Sequence, residues 1–146
     1  MPSELGPVLF RLISATHRLS RSATTRIDHG FSASHYRTLG LLRDVNAMRI
    51  GQLAKQNHIS QPGMTKIVAA LEEKGLLERV LDPADSRAWL IEITDAGREE
   101  LTRRGQELAA VLKEDFEGLT PEQVSILSQA ADILESRNPS EGVATE

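Results

Sequence analysis

Apolar residues recur three and four apart along most of this chain, and the pattern breaks once, into two short apolar runs around a charged turn. Leu5, Val8, Leu9, Leu12, Ile13, Thr16 and Leu19 predict an amphipathic helix over residues 4 to about 28, with Arg11, Arg18 and Arg21 off its stripe. A second helix is predicted from Ser34 to Asp44, with Tyr36, Leu39 and either Leu41 or Leu42 inward. Ile50, Leu53, Ala54 and Ile59 mark a short third helix. Ser60 opens a fourth, carried by Met64, Ile67, Val68 and Leu71 and stopped by Gly75. Here the pattern changes. Leu77 to Leu81 and Ala88 to Thr94 are rich in Val, Leu, Ile and Trp and read as strands, separated by Asp82-Pro83-Ala84-Asp85-Ser86-Arg87, whose Asp and Pro favour a turn. Thr94 caps a long helix in which Leu101, Leu108, Val111, Leu112 and Phe116 recur at near-heptad spacing. Thr120-Pro121-Glu122-Gln123 is a capping box that opens a last helix through Val124, Leu127, Ala131 and Leu134.

Two short helices followed at once by a hairpin predict a winged helix-turn-helix. The expected class is mainly α (α+β), with a two-stranded wing flanked by N- and C-terminal dimerisation helices. In such a module the second helix enters the major groove of DNA, and its N-terminal residues meet base edges. Those residues here are Ser60, Gln61, Pro62, Gly63, Thr65 and Lys66. In the wing, Asp85 lies two residues from Arg87, so an ion pair across the loop would hold the arginine at a rigid tip. An arginine so held suits a narrow minor groove, where the potential of the duplex is most negative. The terminal stripes offer more apolar face than a thin two-layer module covers, and a partner chain is the simpler cover. The expected organisation is an N-terminal dimerisation helix over 1–30, the winged helix-turn-helix over 31–97, C-terminal dimerisation helices over 98–137, and a disordered tail over 138–146.

Ile50-Gly51-Gln52-Leu53-Ala54, Ile59-Ser60, Leu71-Glu72-Glu73-Lys74-Gly75-Leu76-Leu77-Glu78-Arg79, Asp82-Pro83-Ala84-Asp85-Ser86-Arg87 and Ile93-Thr94-Asp95-Ala96-Gly97 occur in this order, with helices before and after. Through them nearly all of the chain resembles the MarR family of bacterial transcription regulators. The resemblance implies a twofold dimer with interleaved terminal helices, formed mostly by residues 4–20 and 108–136. Its two recognition helices would lie one helical turn apart on a pseudo-palindromic operator. It also implies a repressor released by a small amphipathic or aromatic ligand bound where the first, second and fifth helices meet, with His17, Arg21, His35 and Tyr36 as candidate contacts. Such a ligand must prefer the released geometry, since equal affinity for both states shifts nothing. Two positions depart from the family pattern. Ser86 stands where many relatives carry an arginine, and Ala69-Ala70 replaces a common Asp-Arg, which moves base reading toward the first turn of the helix.

Net charge changes this picture only until it is divided along the chain. The total is −4, but residues 1–29 carry four basic and two acidic side chains, 30–94 eight and seven, and 95–146 five and twelve. The acidity therefore lies in the C-terminal third, and phosphate attraction depends on the local field. At 146 residues the chain suits one small domain plus an assembly element, burying roughly 70% of the surface its unfolded form exposes. With no cysteine there is no disulfide framework, thiolate zinc site or thiol peroxide sensor. Residues 1–30 lack a signal-peptide layout and no stretch reaches the ~20 apolar residues of a membrane span, so a cytoplasmic, nucleoid-associated protein is expected.

Several of these residues have a second reading. Ser60 serves as an N-cap, a base contact or both. Pro62 and Gly63 either start the helix and let its backbone approach a phosphate, or meet a thymine methyl. Arg79 either salt-bridges within the hairpin or contacts phosphate. His17, His29, His35 and His58 never take the i, i+4 spacing of a helical metal pair, so no metal and no cofactor are expected. A phosphate-binding Gly-rich loop, a nucleophile elbow and a His-Glu-x-x-His pattern are all missing, so no enzyme is expected. The competing reading from another class is a winged-helix module that binds protein and not DNA, favoured by the acidic balance and the uncharged Ala69-Ala70.

Overall fold

The computed structural model describes residues 2–27 and 29–137; the tail 138–146, expected to be disordered, lies outside the described residues. The elements follow the apolar spacing closely: α1 Pro2–Arg26, α2 Ala33–Val45, β1 Ala47–Met48, α3 Ile50–Gln56, α4 Gln61–Glu73, β2 Leu77–Asp82, β3 Asp85–Ile93, α5 Asp95–Lys113 and α6 Pro121–Glu135, with a 3-10 turn at Glu114–Phe116. Caps explain the boundaries. Ser60 is extended and its Oγ accepts the Gly63 N–H at 3.2 Å, satisfying one of the free donors at the start of α4. Gly75 then takes φ +69°, a conformation that stops the helix and costs other residues more. Thr94 Oγ1 accepts the Gly97 N–H at 3.1 Å and donates to the Gly75 carbonyl at 2.6 Å, so one hydroxyl caps α5 and pins it to the α4–β2 turn. A Cβ at Gly97 would overlap the Leu76 carbonyl oxygen, which is why the first turn of α5 carries glycine there. At α6 the capping box forms in both directions, between Thr120 and Gln123.

The sheet contains the expected two-stranded wing, β2 and β3, and adds a short strand to it. It has three antiparallel strands in the order β1-β3-β2, because Ala47 and Met48 pair with Glu92 and Ile91. Two residues are too few to show an alternating pattern, so β1 left no trace in the apolar spacing. In the long hairpin Leu77 faces Ile93, Arg79 faces Ile91 and Leu81 faces Trp89. After Leu81 the register shifts and Asp82 faces Asp85. The turn is therefore Pro83-Ala84 alone, not the six residues expected, and Ser86, Arg87 and Ala88 form a bulge without ladder partners.

The described chain divides into two compact units. One comprises residues 1–30 and 104–118, in which Arg26 donates to the Val111 carbonyl at 2.8 Å and pairs with Asp115 at 2.7 Å. Ala23 and Arg104 are buried there, while Leu5, Val8, Leu9, Phe10 and Ile13 are exposed. The other comprises residues 31–103 and, among the described residues, 119–137, and holds the main core. Leu39 and Leu42 of α2, Leu53 of α3, Met64, Val68 and Leu71 of α4 and Ile91 of β3 are wholly or almost wholly buried in it. Leu42 is the buried member of the Leu41/Leu42 alternative. α6 buries no side chain, and its Val124, Ile126, Leu127, Ile133 and Leu134 are exposed.

Candidate nucleic-acid interface

The 3.6-residue period gives α4 two unlike faces. Met64, Ile67, Val68 and Leu71 fill the core, which turns Gln61, Pro62, Thr65 and Lys66 outward, all exposed in the first turn and a half. Ser60 is exposed too and acts as the cap. Gly63 is half-buried, and a Cβ there would come within 3.0 Å of Ile59 Cγ2 and 3.1 Å of Ser60 Oγ, so the glycine keeps the cap open. The Thr65 hydroxyl donates to the Gln61 carbonyl at 2.9 Å, within its own helix. The Lys66 side chain is exposed and has no partner among the described residues.

The wing differs from expectation in its ion pairs. Arg87 is exposed, its guanidinium has no partner among the described residues, and no pair with the Asp85 carboxylate forms across the loop. Instead Asp85 Oδ1 accepts the Arg87 backbone N–H at 3.0 Å, and its other oxygen lies 3.7 Å from Arg49 Nη2. Arg49 binds Asp82 more closely, with Nε at 3.0 Å and Nη2 at 2.7 Å from Oδ2. The Ala84 N–H on Asp82 Oδ1, with the Arg49 fork on Oδ2, holds the Asp82 pKa below the ordinary carboxylate value, and the same pair raises that of Arg49. Arg79 pairs with Glu72 of α4, at 2.8 and 3.2 Å, and not within the hairpin. That pair raises the Arg79 pKa and ties β2 to the end of the recognition helix.

Arg49 is the residue that sequence reasoning missed. It occupies the N-cap position of α3 without capping it, where Ser, Thr, Asp or Asn is preferred. An arginine in that place, with two turn aspartates and only one nearby wing arginine, was the available signal.

The candidate ligand contacts divide between the units. His17 and Arg21 are exposed on α1, and the groove along that helix is lined by Val8, Arg11, Leu12 and Ala15 among others, without either of them. His35 and Tyr36 lie on α2 beside Phe31. The His35 ring stacks on Phe31 at 5.0 Å and its Nδ1 lies 2.7 Å from Ser32 Oγ; burial lowers its pKa. Tyr36 meets Phe31 edge-on at 6.3 Å, and its hydroxyl donates to Glu100 Oε1 at 2.8 Å. Among the described residues no group of three or more His, Asp or Glu is arranged to hold a metal, and no helix is long and apolar enough to cross a membrane.

A family model described as the MarR family matches residues 29–88. An HTH-type transcriptional regulator of Mycobacterium bovis is 30% identical over 121 residues, covering 82% of this chain and 85% of that one. Among solved structures, the transcriptional regulator Tm0710 of Thermotoga maritima matches with a TM-score of 0.68 at 22% identity, over 92% of this chain and 93% of its own. BpsR of Bordetella bronchiseptica, whose DNA binding is regulated by 6-hydroxynicotinic acid, matches with a TM-score of 0.57 at 24% identity, over 92% and 94%. These two likenesses confirm the winged-helix fold.

Proposed function

Because this chain belongs to the MarR family, we propose that it is a sequence-specific DNA-binding transcription regulator that works as a homodimer on a pseudo-palindromic operator. It acts by binding and not by catalysis, in the cytoplasm and on the nucleoid. The observation that carries this reading is the pairing of a polar, exposed first turn of α4 with a wing arginine whose guanidinium has no partner among the described residues. The other wing cation, Arg79, is already neutralised by Glu72. Arg87 is therefore the one cation in residues 77–94 left to meet a phosphate-lined groove.

In this reading Gln61 and Thr65 read base edges, and the Thr65 hydroxyl exchanges its bond to the Gln61 carbonyl for one to a base. Lys66 faces phosphate. Ser60 holds the helix start, and Pro62 and Gly63 let the backbone close on the duplex. Asp85 orients Arg87 through its backbone N–H. Arg79 serves as a strap to α4 and not as a phosphate contact. The exposed apolar side chains of α1 and α6 supply the twofold interface, which spaces the reading heads about 34–36 Å apart. The fold is then used as a dimerisation helix over 1–30, a reading head over 31–97 and dimerisation helices over 98–137.

The outcome is repression, relieved by a small aromatic or amphipathic effector. The Phe31, His35 and Tyr36 rings offer stacking faces for it, and burial lowers the His35 pKa. The regulation of the similar BpsR by 6-hydroxynicotinic acid supports an effector of this size. The test is selection of bound fragments from random DNA by the pure protein, followed by titration at two salt concentrations. A shared twofold motif with steep salt weakening is expected. Absence of duplex binding at low salt refutes the reading and leaves the protein-binding module.

A further inference from the structure

Arg87 sits in the bulge Ser86–Ala88, where the strand ladder does not fix the backbone. Its direction is set by side chains instead. Asp82 Oδ1 accepts the Ala84 N–H at 2.9 Å and Asp85 Oδ1 accepts the Arg87 N–H at 3.0 Å, so two aspartates shape the turn and the start of the bulge. The second oxygen of each is turned to the same guanidinium, that of Arg49, at 2.7 Å for Asp82 and 3.7 Å for Asp85. Arg49 in turn stands on a firm base. Met48 before it pairs with Ile91, and its own carbonyl accepts the Leu53 N–H of α3 at 3.0 Å.

We propose that Arg49 is a positioning residue for DNA binding: it fastens the wing turn to the first helix of the helix-turn-helix and thereby aims Arg87. This rests on the DNA-binding reading above. Two physical effects combine. The planar fork takes both Nε and Nη2 to one carboxylate oxygen, which fixes Asp82 in place more firmly than a single point charge would. The positive charge also cancels repulsion between the two aspartates, which would otherwise oppose both each other and the phosphates that Arg87 must approach. The Arg49 guanidinium is engaged by Asp82 and Asp85, so its effect on DNA passes through Arg87.

Trp89, the only tryptophan of the chain, is half-exposed and faces Leu81 at the last regular pair before the bulge, so it reports the order of the wing. The experiment compares wild type with Arg49→Gln, Asp82→Asn, Arg87→Ala and Arg49→Gln/Arg87→Ala. It reads acrylamide quenching of Trp89 in the free protein and affinity for the selected duplex. Asn at 82 keeps an oxygen for the Ala84 N–H and loses only the ion pair. We expect Arg49→Gln and Asp82→Asn each to raise quenching and weaken the duplex about three- to tenfold, and the double variant to bind no worse than Arg87→Ala. Unchanged quenching and affinity in Arg49→Gln would overturn the proposal. So would losses that add in the double variant, or an Asp82→Asn protein that binds as tightly as wild type, since both mark a direct phosphate contact. If wild type binds no duplex, the DNA reading fails by itself, and quenching still decides whether Arg49 orders the wing.

Discussion

In the unit built on residues 31–103, Leu39, Leu42, Leu53, Met64, Val68 and Leu71 are wholly shielded from solvent, whereas on α1 and α6 Phe10, Ile13 and Ile133 keep 72%, 58% and 63% of their surface exposed. Both regions are helical and both carry apolar stripes. They differ in whether the chain itself supplies the cover. Three helices and a sheet close over the reading head, so its outer surface is free to be polar. The terminal helices carry side chains that would each gain roughly 1.5–3 kcal/mol from full burial, and among the described residues nothing covers them. The reading head is a finished fold, and the arms leave an apolar face open.

The largest expected effect tests the finished half. Leu71→Ala should remove about 3–5 kcal/mol of unfolding free energy in a denaturant titration, because a packed core relaxes only partly around the lost volume. The same truncation at Leu127, exposed on α6, should leave the circular dichroism of the isolated chain unchanged. Its charged version, Leu127→Glu, should instead yield a folded monomer in sedimentation with weakened duplex binding. An equal loss of folding at both positions would erase the contrast between the regions.

Changes on the outer face of the reading head should leave assembly alone. Arg87→Ala is expected to weaken operator binding by about 1–3 kcal/mol in a duplex titration, with the sedimenting mass unchanged. On α4 the effects should separate by kind. Gln61→Ala should alter the preferred sequence, while Lys66→Ala should weaken all sequences alike and lower the salt slope by about one unit. Identical effects of Gln61→Ala on selected and random DNA would remove it from base reading.

The smallest effect is on pH. The Asp82 pKa is lowered in the folded chain, first by the Ala84 N–H and then by Arg49, so the ordering it gives the wing is fully present above the ordinary carboxylate pKa. It is lost as pH falls through the lower folded value. Trp89 quenching should therefore rise only in that acid range, and Asp82→Asn should abolish the step.

The helices were legible in advance because they carry periodic apolar faces, and three of them, α4, α5 and α6, also carry side-chain caps in Ser60, Thr94 and Thr120. The first turn of α4 was legible for the same reason: once Met64, Ile67, Val68 and Leu71 are inward, Gln61, Thr65 and Lys66 must be outward. What escaped was set by distance in sequence. β1 is two residues long and exists only because β3 lies beside it. Arg49 meets Asp82 across 33 positions and Arg79 meets Glu72 across seven. A local rule pairs Asp85 with Arg87 because they are near neighbours. The folded turn gives the Asp85 carboxylate a backbone N–H on one side and a guanidinium from another element on the other.

A twofold operator demands that two chains complete the arms and together present two reading heads. Sedimentation of the wild-type protein at micromolar concentration, alone and with a selected duplex carrying two half-sites one helical turn apart, tests it directly. The expected result is a mass of two chains in both samples, with two chains on each duplex. A protein that sediments as a single chain, or a single chain that binds one half-site as tightly as the full site, would contradict it.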